Sequence, residues 1–191
     1  MYKLFLSFLL GTLCHQNIYS QEFKNYYENG NLKDVGFLVS DLLQGKYTHY
    51  YENGNLHSTY YYENGKKHGI HIGYYENGNL YYYCTYDFDE VIGSEVFFYE
   101  NGNVQLIQTR DRCGILDGPH IEYYKNGSIG SKSNFVKGKE EGEFKIYYES
   151  GQLKLEGFLN NKGKLEGDWK KFDENGKLIE QRKYLNGELV K

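Results

Sequence analysis

An aromatic–aromatic–acid–Asn–Gly stretch recurs along the chain at near-constant spacing. It reads Tyr26-Tyr27-Glu28-Asn29-Gly30, Tyr50-Tyr51-Glu52-Asn53-Gly54 and Tyr74-Tyr75-Glu76-Asn77-Gly78, with looser copies ending at Gly102, Gly127, Gly151 and Gly176. The steps between these glycines are 24, 24, 24, 25, 24 and 25 residues. Three further columns keep step. Glycines stand at 45, 69, 93, 118, 142 and 167, each five residues before the first aromatic. A turn position reads Asp41, Gly65, Asp89, Gly114, Gly138, Gly163 and Gly187. Two residues after each Asn-Gly-type glycine comes an aliphatic: Leu32, Leu56, Leu80, Val104, Ile129, Leu153 and Leu178. Such a period marks a repeat architecture, in which each unit buries its apolar face only against its neighbours.

The unit has a physical reading. Asn-Gly suits the positive φ angles of a tight hairpin turn. The aromatic stretch before it suits a pleated strand. After the turn, apolar and aromatic residues alternate roughly, as Leu56, Tyr60 and Tyr62 do. A second turn, Asn64 to Gly69 in that unit, reverses the chain again. No stretch carries a useful 3.6-residue apolar period, and glycine every few residues opposes helix. The expected fold is all-β: a repetitive array of antiparallel β-hairpins forming one elongated twisted sheet, two strands per ~24-residue unit. Seven units give about fourteen strands, ~65 Å across at the usual strand spacing.

Composition agrees and excludes other classes. The 191 residues include 22 Tyr, 23 Gly, 3 Cys and 1 Pro. Aromatic richness opposes disorder, and so few Cys exclude a disulfide scaffold. A net charge of -4 offers no electrostatic case for nucleic acid. Residues 1–20 read as a signal peptide: Lys3, an apolar run from Leu4 to Leu13, and small Ser20 before a cut at Gln21. Cys14 lacks the small preceding residue of a lipoprotein site, since Leu13 stands there. Residues 21–191 then form the repeat domain, exported to the periplasm, cell surface or medium. No later segment is long and apolar enough for a transmembrane helix.

Side-chain alternation sends the two aromatics of each pair to opposite faces. The first column (Tyr26, Tyr50, Tyr74, Phe98, Tyr123, Tyr147, Phe172) accepts Phe and never a charge, so it is read as buried. The second (Tyr27, Tyr51, Tyr75, Tyr99, Tyr124, Tyr148) ends in Asp173 and is read as an exposed ladder. Those six tyrosines are the expected binding surface, because Tyr offers rigid area with a polar tip.

With these columns in place, the chain resembles the MORN repeat family, in particular its bacterial variant form. The resemblance rests on Tyr62-Glu63-Asn64-Gly65-Lys66-Lys67-His68-Gly69 and on the repeated Tyr-Tyr-Glu-Asn-Gly-x-Leu half, and covers about residues 23 to 190. It implies a β-hairpin array that contacts proteins or lipids. Bacterial relatives of this variant are often antitoxin components, which implies neutralising a partner protein; an exported chain, however, does not meet a cytoplasmic toxin.

Nothing in the sequence points to catalysis, a metal or a cofactor. His49, His57, His68, His71 and His120 are read as scattered rim residues. His71 and His120 share a repeat position but stand two units, ~19 Å, apart. Cys84 and Cys113 are out of register for a disulfide and are read as free thiols. A carboxylate repeated before nearly every turn (Glu28, Glu52, Glu63, Glu76, Glu100, Glu149, Glu174) is read as a solvated turn residue, because one active site has no reason to be copied. The glycine-rich turns open no helix, so they do not form phosphate loops. The expected function is a non-catalytic, exported platform for a protein partner. An antitoxin-type role and a cell-envelope glycan binder using the Tyr ladder are the alternatives; Trp169, the only tryptophan, weakens the glycan reading.

Overall fold

The structure is a computed structural model and describes residues 20–190. The proposed signal peptide, with Cys14, lies outside the described residues apart from Ser20. The described chain is all strand and turn. Its strands are β1 (Ser20–Tyr26), β2 (Leu32–Val39), β3 (Leu42–Leu43), β4 (Gly45–Tyr50), β5 (Leu56–Glu63) and β6 (Lys66–Lys67). Then follow β7 (Gly69–Tyr74), β8 (Leu80–Asp87), β9 (Glu90–Phe98), β10 (Val104–Arg110), β11 (Leu116–Tyr123) and β12 (Ile129–Val136). The last are β13 (Lys139–Glu140), β14 (Gly142–Tyr147), β15 (Leu153–Leu159), β16 (Gly167–Phe172), β17 (Leu178–Leu185) and β18 (Glu188–Leu189).

Every pairing is antiparallel and joins neighbours in the chain, so the strands form one open meander. β3, β6 and β13 are the first two residues of the strands that follow them, set off by one bulged residue whose N–H still donates to the neighbouring strand, as Gln44 does to the Phe37 carbonyl at 2.9 Å. Setting these three and terminal β18 aside leaves the fourteen long strands expected from seven units.

The two turns of a unit differ from the expectation. In the Tyr-Glu-Asn-Gly turn only glycine has a positive φ, 89° at Gly30. The Gly30 N–H donates to the Tyr27 carbonyl at 2.9 Å, and the Tyr27 N–H to the Asn31 carbonyl at 2.8 Å. This closes a three-residue loop with one left-handed residue, and the register slips beside it in all seven hairpins. The turn asparagine serves through its side chain instead: Asn29 Oδ1 accepts from the Asn31 N–H at 2.9 Å. The doubly positive turn lies at the other end of the hairpin, at Asn64 (φ 50) and Gly65 (φ 80), and even at Phe88 and Asp89. At Asn64-Gly65 it spans two residues, not the six from Asn64 to Gly69; the turns ending at Gly114 and Gly163 are instead three-residue loops with one positive φ. Lys66, Lys67 and Gly69 already belong to strands.

Directly paired residues share a face of the sheet. One row runs Asp34, His49, Ser58, Gly73, Tyr82, Phe97, Leu106, Glu122, Ser131, Ile146, Leu155. This is the core face. It holds Ser58 at 2% exposure and Cys84 at 0%. Beside that row runs an aromatic-rich column that the sequence reading did not isolate: Phe23, Tyr47, His71, Glu95, His120, Phe144 and Trp169, each three residues before the first aromatic. Where the facing residue is glycine, the ring lies against the backbone. A Cβ on Gly157 would stand 2.7 Å from the Phe144 ring, and one on Gly36 2.9 Å from the Phe23 ring. Neither glycine has a positive φ; the ring, not the backbone angle, requires it.

Candidate functional site

The two tyrosine columns are not sorted into a buried and an exposed one. From Tyr50 onward both are half-buried, and in the first column only Tyr26, at 59%, is largely exposed. What separates them is hydrogen bonding. Each second-column hydroxyl donates to the main-chain carbonyl of the first-column residue one unit later. Tyr27 donates to the carbonyl of Tyr50 at 2.7 Å, Tyr51 to Tyr74, Tyr75 to Phe98, Tyr99 to Tyr123, and Tyr124 to Tyr147, all four at 2.8 Å, and Tyr148 to Phe172 at 2.9 Å. Burial of the rings pushes the Tyr51 and Tyr75 hydroxyls up in pKa. The polar tips expected to meet a partner therefore tie unit to unit, and only ring surface is left for contact.

The turns make a parallel rail. Asn31 Nδ2 donates to the Glu52 carbonyl at 2.8 Å, Asn55 to Glu76 at 2.8 Å, and Asn79 to Glu100 at 2.8 Å. The repeated turn glutamates thus matter through their backbone carbonyls, with their side chains in solvent.

The core face is filled differently along its length. In units two and three large side chains pack over it. Tyr60 stacks on His71 with centroids 3.9 Å apart and planes 12° from parallel. The Lys67 ammonium lies 4.6 Å from the Tyr60 ring centre and 5.0 Å from that of Tyr86. Burial, then the Lys67 charge, lowers the His71 pKa to about 4. His71 is thus a core residue, not the rim residue expected. Burial pushes the Tyr86 hydroxyl up to about 12 and raises the Cys84 thiol. Among the described residues Cys84 and Cys113 form no disulfide, the first being buried and the second exposed.

Two buried carboxylates are satisfied by networks. Desolvation works to raise the Asp34 carboxyl, but hydrogen bonds from Tyr47 (2.6 Å), His49 (2.6 Å) and Asn25 outweigh it and lower its pKa. Glu95 is 5% exposed; desolvation is again outweighed, here by Tyr82, by Arg110 Nε at 2.7 Å and by Gln108. These groups pair with one another, and none is aimed at an open space where a substrate would sit.

In units four to six the same face is less closely covered, and a groove opens around Gly130, Ser131 and Ser133. Its first cavity, about 530 Å³, is floored by Phe97, Leu106, Ser131 and Ile146 and flanked by Tyr99 and Tyr124. A second, about 480 Å³, adjoins it through Glu122, Ser131 and Ile146 and continues to Phe135, Phe144 and Leu159. His120 lines this second cavity, and its Nδ1 has no hydrogen-bond partner among the described residues. Lys132, Lys145 and Glu140 add charge to the lining. The structure thus brings Tyr99 and Tyr124 of the six expected residues to the groove; Tyr27, Tyr51, Tyr75 and Tyr148 are not among its lining residues. The column four residues past each turn glycine carries no signal for the groove, since Ser131 there matches Ser58 of unit two, which is 2% exposed.

The MORN repeat variant family matches residues 22–37, 43–64, 67–87, 92–111, 116–137, 140–161 and 165–186. The chain belongs to the MORN repeat family. Its seven matched segments are the seven hairpins of the sheet, and units of this family are non-catalytic repeats that generally bind proteins or membranes. No curated protein matches the chain. Among the described residues of this MORN protein, no helix is long and apolar enough to cross a membrane.

Proposed function

We propose that this MORN protein is an exported, non-catalytic platform that holds a segment of a partner protein in the groove of units four to six. The groove carries the proposal. It is an elongated concavity with an apolar floor, aromatic flanks and a few charged groups, which suits a polypeptide better than a small polar ligand. Export rests on the apolar run from Leu4 to Leu13 followed by Ser20. A toxin as partner is the special case that an unexported chain would favour.

Filling the groove tests the reading. Ser131→Trp places a large ring between the two cavities. Wild-type protein immobilised against envelope extract is expected to retain a protein that Ser131→Trp loses, with the thermal midpoint of the variant within a few degrees. Retention of glycan without protein, or capture indifferent to the substitution, overturns it.

A further inference from the structure

The first strand has a neighbour on one side only. β1 pairs with β2, and among the described residues nothing pairs with its other edge. At the far end of the sheet β18 folds back over Tyr184 and Leu185, so that edge is partly covered. β1 carries no proline or glycine, and apart from half-buried Phe23 all its residues are exposed. Tyr26 shows the deficit best: it is 59% exposed, while its six repeat equivalents, each with a preceding unit beside it, are half-buried.

The outward-facing groups of β1 can be identified from the repeat. In each later unit the carbonyl at the Tyr26 position accepts a tyrosine hydroxyl from the unit before it. The Tyr26 carbonyl therefore points away from β2. Backbone polar groups alternate in side along a strand, so those of Lys24, Glu22 and Ser20 point outward with it.

We propose that the β1 edge is a homodimer interface, in which β1 pairs antiparallel with β1 of a second copy about a two-fold axis at Phe23. Charge selects both partner and register. Centred on Phe23, the pairing sets Glu22 opposite Lys24 of the second copy, twice by symmetry. Both charged outward-facing residues then meet outward-facing residues. A shift of the axis to Glu22 or to Lys24 sets that charge against its own copy. The Phe23 rings meet on the core face at the axis, extending the aromatic column in which Phe23 already lies 6.3 Å from Tyr47. In the single chain Glu22 and Lys24 pair with each other at 2.9 Å, so the strand can exchange this internal pair for two across the interface. An open edge guarded only by Glu22 and Lys24 still offers unpaired backbone groups, and self-pairing closes it. The interface lies apart from the groove and does not depend on it.

Sedimentation equilibrium of the full chain tests the assignment. Wild-type protein is expected to show a concentration-dependent mass reaching twice that of one chain. Lys24→Glu and Glu22→Lys are each expected to weaken the dimer roughly tenfold or more, because both cross-strand pairs become like-charged. The double variant Glu22→Lys with Lys24→Glu restores opposite charges and should return dissociation to within about threefold of wild type. All four proteins should keep the same β-type circular dichroism, since the two side chains are exposed. A single-chain mass at every concentration, a dimer indifferent to the single swaps, or a double variant that stays weakened overturns the proposal.

Discussion

His71 shows how much one position can decide. Its ring is 8% exposed, stacked on Tyr60 and close to the Lys67 ammonium, so the neutral form is favoured. Its pKa is about 4 in the folded chain, against an ordinary value of 6.5. The unfolded chain therefore binds the proton more readily between those limits. Stability is complete above about pH 6.5 and falls as pH drops toward 4, by of order 3 kcal/mol in total. Asp34 and Glu95 have lowered pKa values, so their contribution is lost only at still lower pH. Urea midpoints between pH 7 and 4.5 should fall for the wild type and much less for His71→Phe. Parallel curves for the two proteins would show that another group controls the acid transition. The sequence carried no hint of this, because a histidine in a repeat column reads the same whether it is solvated or stacked.

At the scale of the element, the hairpin and its junction to the next are what the sequence displayed best. Period, strand count and turn positions follow from Gly30, Gly54, Gly78 and their companions, because tight turns demand particular residues. What the pattern left open is which groups cross from unit to unit. Tyr27 and Tyr51 looked like surface because alternation places them opposite the first column; their reach to the next carbonyl depends on where the twist puts each ring. The columns missed, Phe23 to Trp169 and the small residues around Ser131, were hidden for a related reason. His71, Glu95 and His120 break the first, and the second is defined by what is small. The hydroxyl ladder has a direct consequence. Tyr51→Phe removes only the bond to the Tyr74 carbonyl (2.8 Å) and keeps the ring. It should destabilise by about 0.5–1.5 kcal/mol, read from urea unfolding, where an exposed Tyr→Phe change would fall within about ±0.5.

For the whole molecule, a meander in which every strand touches only its sequence neighbours behaves as a one-dimensional stack. Its stability is a sum over units and junctions, without a central core to lose. Excising residues 128–151 joins Gly127 to Gln152 and keeps the turn frame, with Tyr124 then facing the Phe172 carbonyl. The shortened chain should keep a β-type spectrum, and its denaturant slope should fall by about one seventh. A loss of folded signal would mean that the array folds as one indivisible body. The junctions also have a direction. Along the turn end of each junction, tyrosine and asparagine side chains donate forward to main-chain carbonyls, which every sequence possesses; contacts such as Asp34 with Tyr47 and Tyr82 with Glu95 are particular to their own junctions. That end of the junction accepts any unit in the same frame, whichever side chains the unit carries elsewhere. Asp173 marks where that forward reach stops. The number of units, and with it the length of surface the molecule offers, can therefore change without altering this forward rail.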